Sequence, residues 1–155
     1  MRRFNLGLSA AAALSAVMYC APLAAAAPAA SGEELVTLVA RNVQQTVIGD
    51  GSSQGSGIAN TQDLYRDNQL VGRDGATCTI VRVSADNSRD MQCQVTLFLA
   101  QGDIIGQGVL TFTQAPTDFD IAITGGTRNY RHASGYIHGH VVNDTDTELT
   151  LYISS

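Results

Sequence analysis

Met91-Gln92-Cys93-Gln94-Val95-Thr96-Leu97-Phe98-Leu99 decides the fold class. Met91, Cys93, Val95, Leu97 and Leu99 fall on one face of an extended chain, while Gln92, Gln94 and Thr96 fall on the other. A period of two in hydrophobicity describes a strand with one face in a core and one in solvent. No window after Ser31 keeps apolar residues at the i, i+3, i+4, i+7 spacing of a helix for long. Period-two segments recur instead, separated by turn chemistry at Gly49 to Gly57, Asp67-Asn68, Asp86-Asn87-Ser88, Gly102-Asp103, Pro116-Thr117-Asp118, Gly125-Gly126 and Asn143-Asp144. Strands are predicted near 35–48, 56–65, 69–84, 90–101, 103–114, 118–124, 133–143 and 147–153. Eight short antiparallel strands suit an all-β closed barrel, whose interior is filled or holds one small ligand in a central cavity.

The start of the chain reads differently. Arg2 and Arg3 precede an apolar run from Phe4 through Tyr19, and no acid occurs before Glu33. This is the layout of a secretory signal peptide occupying residues 1–29, with A-x-A cleavage expected after Ala26 or Ala29. The barrel domain then covers 31–155. Tyr19 before Cys20 argues against lipid attachment, and the Ala-rich run is a weak membrane anchor. The expected product is a secreted bacterial protein that is not inserted in a membrane.

Processing removes two arginines from a chain with 9 basic and 14 acidic residues. The domain that remains is acidic and contains no lysine, which excludes a surface built to track phosphates. Nucleic-acid binding is not expected. Its two cysteines, Cys78 and Cys93, lie on strands joined by the Asp86-Asn87-Ser88 turn and in an oxidising compartment, so a disulfide is the default expectation. Closing a loop of about 15 residues stabilises a fold by roughly 3 kcal/mol in the chain-entropy account.

One segment carries a family likeness. Gly125-Gly126-Thr127-Arg128-Asn129-Tyr130-Arg131-His132-Ala133-Ser134-Gly135 resembles the glycine-rich signature of the allene oxide cyclase and dirigent barrel superfamily, through Gly125, Gly126, Thr127, Tyr130, Arg131, Ala133 and Gly135. Asp63-Leu64-Tyr65 sits where dirigent proteins carry Asp-Asp-Pro-Leu, Leu70-Val71-Gly72-Arg73 matches their Leu-Val-Gly-Arg, and Glu148 to Tyr152 is similar to their closing strand. Arg128 and Ser134 depart from the signature. The resemblance implies an eight-stranded barrel with an apolar cavity, assembly into trimers or dimers, and control of cyclisation stereochemistry, as in secondary metabolism, with no metal or organic cofactor.

Asp63 is the candidate acid, placed near the cavity by the resemblance; an ordinary solvated carboxylate is the alternative. Arg73 and Arg131 are candidate partners for a developing anion, or members of structural ion pairs. His138 and His140, two apart on one strand, share a face with Tyr136. A zinc site would require at least a third ligand, so no metal is expected. Substrate contact and a polar patch on the wall both remain open for them. Tyr65, Tyr130, Tyr136, Phe98, Phe112 and Phe119 are candidates to line an apolar pocket, as they are to be ordinary core. Gly51-Ser52-Ser53-Gln54-Gly55 fits G-x-S-x-G, yet that motif has meaning only between a strand and a helix.

The expected activity is that of a cofactor-independent isomerase or cyclase holding an apolar small molecule. A non-catalytic binding barrel and a structural protein of the cell envelope are the alternatives.

Overall fold

A computed structural model of the chain describes residues 33–113 and 118–154, so the expected signal peptide lies outside the described residues. Eight strands run in chain order as β1 (Glu33–Ile48), β2 (Gly57–Arg66), β3 (Gln69–Val83), β4 (Arg89–Leu99), β5 (Gly102–Phe112), β6 (Asp118–Gly126), β7 (Ser134–Val141) and β8 (Asp146–Ser154). Each pairs antiparallel with its neighbour, and β8 returns to β1 to close the barrel. The all-β expectation holds, with strand ends within a few residues of those read from the pattern.

Alternation sets the core. Val36, Leu38 and Ala40 of β1, Met91, Cys93, Val95 and Leu97 of β4, and Leu149, Leu151 and Ile153 of β8 are all buried, while the residues between them are more exposed. β4 therefore points its expected face inward. Cys78 and Cys93 form a disulfide between directly opposed residues of β3 and β4. A bulge between Ile80 and Arg82, on the turn side of the cysteines, shifts the β3–β4 register by one residue and so brings Cys78 opposite Cys93.

The two ends of the cylinder differ. At the end where β1 begins and β8 finishes, Leu38, Ala40, Leu64, Ile104 and Leu151 are at most 2% exposed and fill the interior. The glycine-rich segment belongs to this filled end. It turns β6 into β7 through a short 3₁₀ turn, Arg128–Tyr130, and Thr127 accepts the Asp103 amide on its hydroxyl at 2.9 Å. Gly135 shows why a glycine stands there: its φ is +117°, and a Cβ would lie 2.0 Å from the Tyr152 carbonyl oxygen. The opposite end, at the β7–β8 turn, is hollow.

Candidate functional site

A cavity of about 300 Å³ occupies the hollow end, at the low edge of the roughly 300–1,000 Å³ usual for small-molecule sites. Its walls are unlike each other. β4 to β8 contribute Val95, Leu97, Leu110, Phe112, Phe119, Ile121, Ile137 and Leu149; β1 and β2 contribute the carboxamides Asn42, Gln45, Asn60 and Gln62. Register explains the polar wall. Asn42 stands opposite Gln62 and Gln62 opposite Asp74, a polar row across β1, β2 and β3, while Gln45 stands opposite Asn60 in a neighbouring row that ends at Ala76. A bulge in β1 between Asn42 and Gln44 shifts the alternation by one, so that Asn42 and Gln45 both face the cavity and Val43 is left outside, 63% exposed.

Asp74 ends the first row. It is 3% exposed, and its Oδ1 accepts the Gln62 backbone N–H at 3.1 Å. Burial pushes its carboxyl up to about 7, against the opposing effect of that hydrogen bond. A buried carboxyl poised near neutrality, on the polar wall of the cavity, can release and recover a proton at the pH of most biological fluids. The sequence reading missed Asp74. The usable signal was its inward phase with Ala76 and Cys78, which requires the position of the disulfide relative to the core.

The residues expected from sequence divide between the two faces of the barrel wall. Phe112 lines the cavity, and the disulfide forms part of its wall. Asp63 and Arg73 stand opposite each other in register on the other phase of β2 and β3, bordering a shallow outer groove rather than the cavity. The Arg73 guanidinium lies 5.2 Å from the centre of the Phe98 ring, which places Phe98 outside as well. Tyr65 lies under the Arg41 guanidinium at 5.0 Å, and Arg41 is also paired with Asp146.

Tyr136 stacks on Tyr152 with ring centres 4.5 Å apart on the outer face. His138 Nδ1 meets the Asp120 carboxylate at 2.9 Å, and His140 meets Asp118 one step along the same pair of strands. The Asp118 hydrogen bond raises the His140 imidazole above its ordinary range and lowers Asp118 below its own. Neither histidine borders the cavity. Among the described residues no group of three His, Cys, Asp or Glu side chains converges as a set of metal ligands.

Tyr130 lines a separate depression of about 550 Å³ at the other end, larger than the cavity and bordered by the charged Glu34 and Arg66, where burial, then Glu34, raise its phenol. Arg131 is exposed on the β6–β7 turn, donating to His132 at 3.2 Å. Ser53 and Ser56 of the G-x-S-x-G stretch and its surroundings donate to Asp50 in a surface turn, with no histidine in the arrangement.

No protein-family model matches the chain, and no curated protein matches it. Its architecture is found in solved structures. Pyocyanin demethylase is similar at 27% identity and a TM-score of 0.67, over 77% of this chain and 99% of that one. AbnU, an exo-specific intermolecular Diels-Alderase, aligns at 15% identity and a TM-score of 0.65, over 80% of this chain and 99% of that one. The Diels-Alderase AbmU from Streptomyces koyangensis aligns at 14% identity and a TM-score of 0.62, over 81% and 70%. At such identities the last two likenesses are of fold.

Proposed function

We propose that the chain is a cofactor-independent isomerase or cyclase. It holds an apolar small molecule in the hollow end of the barrel and uses Asp74 to move a proton. The observation that carries this reading is a nearly inaccessible carboxyl, titrating near neutrality, in the wall of an otherwise mostly apolar cavity. Such a group is costly to bury, and one hydrogen bond from the Gln62 amide offsets only part of that cost. Shape supplies the rest: a rigid cylinder restricts a flexible molecule to one reactive conformation, which is how orientation lowers a barrier and fixes stereochemistry.

Two of the similar barrels are named as Diels-Alderases, and a third as a demethylase. These names support a reaction on an organic small molecule inside this architecture. They leave membership of the allene oxide cyclase and dirigent superfamily as part of the proposal. Export belongs to the proposal too, supported by the signal-like start of the chain and by a disulfide that suits an oxidising compartment. Assembly into trimers or dimers is likewise proposed from the resemblance alone.

The test is to extract the protein purified from its own secretions, identify the bound compound by mass spectrometry, and return it to fresh protein. An isomerase yields a product of unchanged mass and altered chromatographic mobility. At saturating compound, Asp74→Asn then slows conversion at least roughly a hundredfold, the scale of a lost general acid or base. Recovery of the compound unchanged from wild type would establish the carrier reading instead.

A further inference from the structure

The cavity is one-sided in polarity and one-signed in charge. Asp74 and, at the mouth, Asp144 are the charged side chains among its lining residues; no arginine or histidine borders it, and the chain has no lysine to offer. Arg89, opposite Phe112 at the start of β4, lies outside the lining, and its Nε is buried without a hydrogen-bond partner; it stands eight residues along the β4 strand from Leu97, the partner of Asp74. Asp74 takes part in none of the ion pairs among the described residues. An anion seated beside Asp74 would face a carboxyl in a weakly polarisable setting, with no counter-charge among the described lining residues to offset its desolvation. A cation would meet a carboxylate that has a backbone amide for a neighbour and room for a charge-assisted hydrogen bond.

A second observation comes from Asn42, in the same row as Asp74. Its side-chain carbonyl oxygen is buried without a hydrogen-bond partner, while its backbone N–H is satisfied by the Thr145 carbonyl at 2.8 Å. A buried acceptor of this kind carries a desolvation cost that an N–H or O–H donor on an occupant removes. Donor preference thus comes from Asn42 and charge preference from Asp74. Both sit on the wall opposite Leu110, Phe112 and Phe119.

Resting on the reading of this cavity as a ligand site, we infer that it selects neutral or cationic apolar molecules bearing an N–H or O–H donor along one edge, and rejects carboxylates and phosphates built on the same apolar body. The selection is made by two residues that can be varied separately.

Four anthracene probes test this on the full exported protein by fluorescence titration at pH 8: anthracene itself, 9-anthracenemethanol, 9-(aminomethyl)anthracene as its ammonium, and 9-anthracenecarboxylate. The alcohol and the ammonium are expected to bind, with the carboxylate weaker than the ammonium by at least roughly tenfold. Asp74→Asn is expected to abolish the advantage of the ammonium over the alcohol. Asn42→Leu is expected to weaken the alcohol about tenfold relative to plain anthracene, the scale of one buried hydrogen bond. Carboxylate binding as tight as ammonium binding overturns the inference, as does an Asn42→Leu protein that treats alcohol and anthracene as wild type does. If anthracene binds and charge makes no difference, only this inference falls. If none of the four probes binds, the cavity reading falls with it.

Discussion

The two ends of the barrel are built from the same ladders and differ in what the inward positions carry. At the filled end they are aliphatic: Leu38, Leu64, Ile104 and Leu151 are at most 2% exposed, and Leu38 also borders the open depression shared with Glu34, Arg66 and Tyr130. At the hollow end the β1, β2 and β3 positions become Asn42, Asn60, Gln62 and Asp74, and the axis opens into about 300 Å³. Backbone pairing carries the architecture at both ends. Side-chain choice decides whether the cylinder is a core or a vessel.

Paired truncations are the strongest way to break this comparison. Leu64→Ala should cost roughly 2–5 kcal/mol, because its atoms are surrounded on every side. Leu110→Ala, on the cavity wall, should fall at or below the low end of that range, since part of its surface already borders open space. Equal losses in urea denaturation would show the hollow end to be as tightly filled as the other.

Asp74 gives the next effect, and its sign follows from protonation. In the folded protein the carboxyl keeps its proton up to about 7, whereas an unfolded aspartate loses it near the ordinary value of 3.8. Folding is therefore progressively weakened as pH rises through that window. Asp74→Asn should be neutral at the acid limit and stabilising above neutrality, with an upper bound of roughly 4 kcal/mol. Melting curves across pH 3–8 that stay parallel for the two proteins would contradict the burial of a titrating acid.

Removing the disulfide as the pair Cys78→Ala with Cys93→Ala should cost roughly 3 kcal/mol by loop-closure entropy, readable as a lower denaturation midpoint. A loss below about 1 kcal/mol would mean that the β3–β4 ladder holds this wall of the cavity unaided. The smallest effect belongs to the outer face. Asp63→Asn should shift stability by less than about 0.5 kcal/mol and leave conversion of the extracted compound unchanged. A large drop in conversion would move the chemistry from the cavity to the outer groove.

Much of the architecture was legible from alternation. β4 announces itself because, after Arg89, the five residues of its inward set from Met91 to Leu99 are apolar, and Cys78 and Cys93 find each other across a hairpin whose turn is explicit in the sequence. The site was less legible for a physical reason. Period two separates two faces without naming which is inside, and on β2 the inward set Ile58, Asn60, Gln62, Leu64 is half polar while the outward set includes Ala59 and Tyr65. Hydrophobicity does not separate the two sets there. Asp63 and Asp74 are both strand aspartates among polar neighbours, and only the closed register distinguishes them. The bulge at Val43 exchanged the roles of Gln44 and Gln45, and nothing in that string of polar and β-branched residues marks it. Aromatic rings were expected to line the pocket, yet Phe98, Tyr65 and Tyr136 pack outside against arginine or tyrosine.

Closure of the ring has a consequence in time. Seven ladders join consecutive strands, but the eighth pairs Glu33 with Ser154 and continues through nine residue pairs to Arg41 with Asp146. During synthesis β1 emerges first and β8 last among the described strands, so the free edge of β1 must wait for almost the whole domain before its partner exists. Until then Val36, Leu38 and Ala40 lack the Leu149, Leu151 and Ile153 that share their core. Contacts between distant parts of a chain form slowly, because loop-closure entropy comes before any reward. The edge of β1 thus stays unpaired until the last strand is available, and the ring closes through its contacts of greatest sequence separation.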